Sequence, residues 1–209
     1  MNDIKIDTLQ PQYFHALAQL QYDCFPTVDE SEYFRLEHFR SHYAIFPDGS
    51  FVALDGERVI GFGSGIFADF DFAHPSHKSH EISGNGTYST HNPDGAYYYA
   101  IDIGVHPDYR GRGIGSQLYE ARKALVKQHN KKGIVAGGII PDYAAHKDHL
   151  TVRQYVDKVM AGELYDSTLS FQLRNGFVVR GLLEDYVEDS VSDNWATLIF
   201  WQNPDYRKP

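Results

Sequence analysis

The chain has 209 residues, with 19 Lys and Arg against 28 Asp and Glu, so its formal charge is −9. That length suits one generous domain or two small ones, and 42% hydrophobic with 22% charged residues is a globular balance, not a disordered one. The acid excess argues against nucleic acid as a partner, no run reaches the roughly 20 apolar residues of a membrane helix, and Cys24 alone forms no internal disulfide or zinc cluster.

In chain order, residues 3–7 (DIKID) alternate polar and apolar, as a short strand does. Pro11 suits a first helical turn, and Phe14, Leu17, Leu20 and Phe25 follow at near-helical spacing until Pro26. A second amphipathic helix is expected over about 31–45, burying Phe34, Leu36, Phe39 and Tyr43. Residues 51–54 and 58–62 flank Asp55-Gly56-Glu57, a hairpin signal. Residues 70–95, rich in His, Pro, Gly and Asn, form a loop long enough to serve function. Residues 97–105 (YYYAIDIGV) are a strand, followed by a helix over about 114–129 and a strand over 134–140. An insertion at about 141–164 carries a short helix near 152–160. A final helix over 167–175 is closed by Gly176, and strands at 177–183 and 196–201 complete the pattern. The polar, acidic N-terminus is unlike a signal peptide, so a cytoplasmic protein is expected. With no repeat and no linker-like stretch, one α/β domain over 1–209 is the simplest organisation.

Residues 105–116 (VHPDYRGRGIGS) lie between a strand and a helix. Their glycines let the backbone approach a ligand, the helix start offers unpaired N–H groups and positive dipole, and Arg110 and Arg112 add charge. The result is an anion site suited to a pyrophosphate. A P-loop would need a lysine after these glycines, and a dinucleotide fingerprint would need glycine where Ser116 stands.

The segment instead resembles the GNAT superfamily of acetyl-CoA-dependent N-acetyltransferases, whose pattern V-x-P-x-x-R/Q-G-x-G-I/V-G is matched at every place from Val105 to Gly115. The resemblance implies a mixed, mostly antiparallel central sheet flanked by helices, with acetyl-CoA as co-substrate and no metal. It implies that the backbone of Arg110, Gly111, Arg112, Gly113, Ile114, Gly115 and Ser116 wraps the coenzyme A pyrophosphate, while Ile103 to Val105 pair with the pantetheine arm. Residues 171–177 (FQLRNGF) look like the family's final-helix signature. The stretch from Ile134 to Phe177 looks closer to one subgroup, GNAT domains fused to, or standing alone from, carbon–nitrogen hydrolases.

Membership would imply direct attack of an amine on the acetyl thioester in a ternary complex, which asks for a base, an oxyanion donor and an acid. Asp102 is the one carboxylate on the 97–105 strand and the candidate base; strict alternation puts it on the face of Ala100 and Gly104. The backbone N–H of Gly104 or Val105 is the expected oxyanion donor. Where many members carry an acid tyrosine this chain has Gln172, leaving Tyr165 as the nearest candidate, with plain aromatic packing as its competing reading.

Histidines 74, 77, 80, 146 and 149 read as solvated loop residues, not metal ligands. Gly61, Gly63 and Gly65 mark either a bulge or substrate space. The acceptor, a small-molecule or peptide amine, is expected between the 70–95 loop and the 141–164 insertion, with Tyr97, Tyr98, Tyr99, Tyr143 and Tyr165 bordering the acyl site. A homodimer and a separately encoded hydrolase partner are further expectations. The rival reading is a non-catalytic acyl-CoA-binding or sensor protein on the same fold, motivated by Gln172 and the lack of a strand glutamate.

Overall fold

The computed structural model describes residues 4–208. Seven strands form one sheet, β1 (Ile4–Thr8), β2 (Ser50–Asp55), β3 (Arg58–Ala68), β4 (Tyr97–Val105), β5 (Gly133–Ile139), β6 (Val178–Leu183) and β7 (Ala196–Gln202), in the order β1-β2-β3-β4-β5-β7-β6. Only β4 and β5 run parallel; every other pairing is antiparallel. Gly56, at φ 61°, makes the turn between β2 and β3. The expected mixed, mostly antiparallel sheet flanked by helices is thus present.

Helices α1 (Phe14–Cys24), α2 (Leu36–Ile45), the one-turn α3 (Ser79–Ile82), α4 (Ile114–Gln128), α5 (Val152–Met160) and α6 (Leu169–Arg174) cover the sheet. One core cluster joins Ile114, Leu118 and Val126 of α4 to Tyr98, Ala100 and Ile134. The other joins Leu17 and Leu20 of α1 and Phe39 of α2 to Tyr99, Val135 and Leu198. Helices this short are marginal alone, so burial of one face against the sheet is what holds them.

The second helix begins at Leu36, not near 31. Asp29 draws residues 30–32 into a 3-10 turn by accepting from the Ser31 N–H at 2.9 Å, and the Tyr33 hydroxyl donates to the Phe25 carbonyl at 2.5 Å. Arg35 is extended and its N–H donates to His38 Nδ1 at 3.0 Å. Phe34 and Phe39 are buried, but Tyr43 is exposed. Likewise Pro11–Tyr13 is a 3-10 turn before α1, and β3 runs six residues past the expected end because β4 pairs with it to Ala68.

Two irregularities of β4 create the site. It pairs with β5 only at Tyr98↔Ile134, Tyr99↔Val135 and Ala100↔Ala136, after which the strands diverge. Against β3 the register passes from Ser64↔Asp102 to Gly65↔Ala100, leaving Ile101 as the extra residue of a β-bulge.

Candidate active site

The bulge changes which face each residue takes. Tyr98 and Ala100 pack on the α4 side, as do Ile103 and Val105, whereas Tyr99 and Ile101 pack on the α1 side. Asp102 therefore shares a face with Gly104 as expected, but not with Ala100. Its Oδ2 accepts from Gln21 Nε2 of α1 at 3.0 Å. Burial raises the carboxyl to about 6, against the Gln21 hydrogen bond, the Arg122 charge and the Ile103 N–H, which pull it down. Beside it, Cys24 is buried and its thiol is pushed up to about 12, so it is no nucleophile at neutral pH.

Backbone directions narrow the oxyanion donor. His106 N–H donates to the Ile60 carbonyl at 2.8 Å, and the register is unbroken from Gly61↔Val105 to Ser64↔Asp102. Antiparallel alternation then turns the Gly104 N–H into the β3 ladder and those of Ile103 and Val105 toward the gap beside β5. Gly104 is thus corrected as a donor, which leaves the Val105 N–H as the candidate.

At the end of the same strand, residues 107–109 form a 3-10 turn and Gly111 and Gly113 take φ of 76° and 78°. A Cβ at either would meet nothing within 4 Å, so the turn faces open space. No side chain caps α4 at Gly113, which leaves the first N–H groups of the helix free to meet an anion. Arg110 Nε donates to the Val105 carbonyl at 3.1 Å and its Nη2 to the Cys24 carbonyl at 3.3 Å, while Arg112 lies over the Tyr109 ring at 4.7 Å. Arg110 is thus part of the turn's scaffold as well as a charge.

An open cavity of about 440 Å³ lies beside the divergence of β4 and β5, with Ile101, Asp102, Gly138 and Gln172 in its wall. The 70–95 loop lines it as expected, through Ser79, His80, Ser83, Asn85 and Gly86. The 141–164 insertion does not; its place is taken by residues between Phe25 and Phe34 and by Tyr186, Val187 and Glu188. Long-range backbone bonds bring these together, Asp29 N–H to Glu188 O at 2.9 Å and Ser79 N–H to Tyr186 O at 2.8 Å.

Tyr165 is not brought to this cavity: it is 59% exposed, with Arg174 over its ring. Of the other tyrosines expected there, Tyr98 bonds Gly49 O, Tyr99 meets the Tyr186 hydroxyl, Tyr143 bonds Leu150 O, and Tyr97 packs against Phe200. Packing explains all four, and the tyrosines in the cavity wall are Tyr33 and Tyr186. Gly61, Gly63 and Gly65 give no substrate space. A Cβ would press Gly61 on the Gly104 carbonyl, Gly63 on the Arg122 guanidinium and Gly65 on Tyr98 and Tyr99. Among the described residues no His, Cys, Asp and Glu cluster could hold a metal, and no helix is long and apolar enough to cross a membrane.

Three contributors escaped sequence reading. Gln21 holds Asp102, Arg122 braces the bulge, and Asp166 organises the start of α6. Asp166 is fully buried and accepts from the N–H groups of Thr168 and Leu169 and from the Tyr155 hydroxyl. An arginine on the apolar face of α4 was the one visible hint.

A profile of the acetyltransferase (GNAT) family matches residues 14–149. YhcX of Bacillus subtilis (strain 168), named as a probable hydrolase, is 39% identical over 202 residues, which are 96% of this chain and 39% of YhcX. YkwB of the same organism, named as an uncharacterized N-acetyltransferase, is 34% identical over 193 residues, 92% of this chain and 85% of YkwB. The solved GphF GNAT-like decarboxylase in complex with isobutyryl-CoA has a TM-score of 0.81 at 22% identity, covering 95% of this chain and 99% of that one. The resemblance read from residues 105–116 therefore extends over the chain, and acyl transfer from a coenzyme A thioester is the general chemistry it supports.

Proposed function

The chain belongs to the acetyltransferase (GNAT) family, and on that premise we propose that it transfers acetyl from acetyl-CoA to a primary amine by direct attack in a ternary complex. One juxtaposition supports this most. Asp102, its carboxyl raised toward neutrality, lines a cavity at the opening between β4 and β5, and the uncapped turn at the start of α4 follows the same strand.

In this reading the amides of residues 110–116 hold the pyrophosphate, Ile103 and Val105 pair with the pantetheine arm, and the Val105 N–H meets charge developing on the acyl oxygen. Asp102 accepts the proton of the incoming ammonium, and a carboxylate titrating near 6 is a stronger base than one near 4. Gln172 can hydrogen-bond the departing sulfur but has no proton to give. A thiolate of ordinary pKa about 8.5 can take its proton from water.

The sensor reading keeps one observation in its favour, Gln172 where an acid is expected. Decarboxylation, the activity in the description of the GphF neighbour, would need a home for a substrate carboxylate; the cavity wall holds Asp102, Glu32 and Glu188 and no Lys or Arg. Thiol release from acetyl-CoA in the presence of amines tests transfer. Tight coenzyme A binding with no turnover on any amine would replace it by the sensor. A homodimer and a separate hydrolase partner are also proposed, to be read by sedimentation and co-purification.

A further inference from the structure

We infer that the acceptor is an aliphatic diamine or polyamine, bound with its reacting amine at Asp102 and Gln172 and its second ammonium between Glu32 and Glu188. This rests on the transferase reading and specifies its substrate class.

The cavity is rich in acid. Asp102, Glu32 and Glu188 line it together with His38 and His80, no Lys or Arg does, and among the described residues none of the three carboxylates has an ion-pair partner. Glu32 and Glu188 are neighbours, the Glu188 N–H meeting Glu32 Oε1 at 3.4 Å. Burial pushes the Glu32 carboxyl up against the pull of the Glu188 N–H and the His80 side chain, and the nearby Glu188 charge adds a smaller push, so a cation arriving there relieves the part of the cost that remains.

A second observation comes from Gln172, in the same cavity wall. Gln172 is 3% exposed and lines it, yet its Oε1 has no hydrogen-bond partner. A buried acceptor without a donor is costly, and an ammonium or amine N–H supplies the missing one. Gln21 links Asp102 to the segment of Glu32 and holds the two carboxylates apart, since its Nε2 donates to Asp102 and its Oε1 receives the Phe34 N–H, two residues from Glu32.

The same wall carries apolar side chains, Phe25, Phe34, Ile101 and Val187, beside the hydroxyls of Ser31, Ser79 and Ser83. Two separate carboxylate positions and hydrocarbon surface in one cavity match two amines on an alkyl chain, and disfavour an acceptor that carries a carboxylate. In the reaction the amine nitrogen forms a C–N bond to the acetyl carbon as the C–S bond breaks. Coenzyme A leaves and is protonated to the thiol, the nitrogen's proton leaves through Asp102, and the product is the monoacetylated diamine.

The test compares 1,4-diaminobutane, butylamine and 4-aminobutanoate, equal in carbon chain and different only in the second group, with the full chain and acetyl-CoA. The expected kcat/KM for the diamine exceeds that for butylamine by about tenfold or more, with 4-aminobutanoate lowest. In Glu32→Gln/Glu188→Gln the diamine-to-butylamine ratio falls toward one. Equal rates for diamine and butylamine, or a ratio untouched by the double variant, overturn the inference. Calorimetry of the same compounds on the coenzyme A complex separates the two claims. Diamine binding that needs Glu32 and Glu188 without any turnover would sink the transferase reading and keep the cation site. Diamine binding no better than that of butylamine would sink the cation site, whatever the turnover.

Discussion

Arg122 braces the backbone of Asp102 from beneath. Its Nη2 donates to the Asp102 carbonyl and, at 2.9 Å, to the Ser64 carbonyl, across the two strands of the bulge. The side chain is 1% exposed, lies 5.9 Å from the Tyr98 ring and 5.6 Å from that of Tyr119, and has no carboxylate ion-pair partner among the described residues. Gly63 leaves the room, since a Cβ there would stand 3.1 Å from the guanidinium. A positive charge is thus held under the strand whose carboxylate faces the cavity.

Arg122→Met should take a charged hydrogen bond from each of two carbonyls and destabilise the fold by about 3 kcal/mol. It should also remove the charge that lowers the Asp102 carboxyl, moving the acid limb of the kcat/KM profile above about 6. Arg122→Lys, which keeps the charge but not the fork, should restore the limb more fully than the stability. Thermal melts and a pH profile read the two effects separately. A limb that stays in place in Arg122→Met would show that Arg122 is structural only.

Asp102→Asn should lower kcat/KM by about 100-fold or more and abolish the limb near 6. It should also change how stability depends on pH. The folded carboxyl titrates near 6 against an ordinary 3.8, so between those values the folded state holds more protons than the unfolded one. Its contribution to stability therefore falls as pH rises from about 4 to about 6 and stays at the lower level above. The asparagine variant lacks that fall, so its melting temperature should gain on the parent's between about pH 4 and pH 7.

At the turn, Gly113→Ala should cost about 1 kcal/mol, because the positive φ penalises a Cβ even though nothing stands in its way. Arg110→Ala removes both a charge and the ties to Val105 and Cys24. Both changes should weaken coenzyme A binding by calorimetry. Undiminished affinity in Arg110→Ala would refute the placement of the pyrophosphate.

Asp166→Ala should be among the more damaging single changes, at about 3 kcal/mol, since it strands donors from four residues, the N–H groups of Asp142, Thr168 and Leu169 and the Tyr155 hydroxyl. Gln172 and Thr168 of the cavity wall depend on the segment it organises. Chemical denaturation measures the loss, and an unchanged midpoint would contradict it.

Local signals were legible wherever local forces act. The alternation of β1, the turn at Gly56, the run of α4 and the stop at Gly176 each follow from neighbours in sequence. Alternation misplaced Ala100 because a bulge depends on the partner strand, and substrate space stayed open as a reading of Gly61, Gly63 and Gly65 because Arg122 and Tyr98 come from elsewhere in the chain. Tyr165 was chosen by nearness along the chain to a site that its side chain does not reach.

By itself the sequence determined the order of elements, the anion-binding turn at 105–116 and, through it, the family, because a strand, a glycine turn and a helix start lie within a dozen residues. The tertiary structure alone decided which side chains share the cavity. Asp102, Gln21, Glu32, Gln172 and Glu188 come from five separate segments, and only the sheet order, the bulge and the divergence of β4 from β5 bring them together. The raised Asp102 carboxyl follows for the same reason, since burial is a property of the assembled neighbourhood and not of the residue.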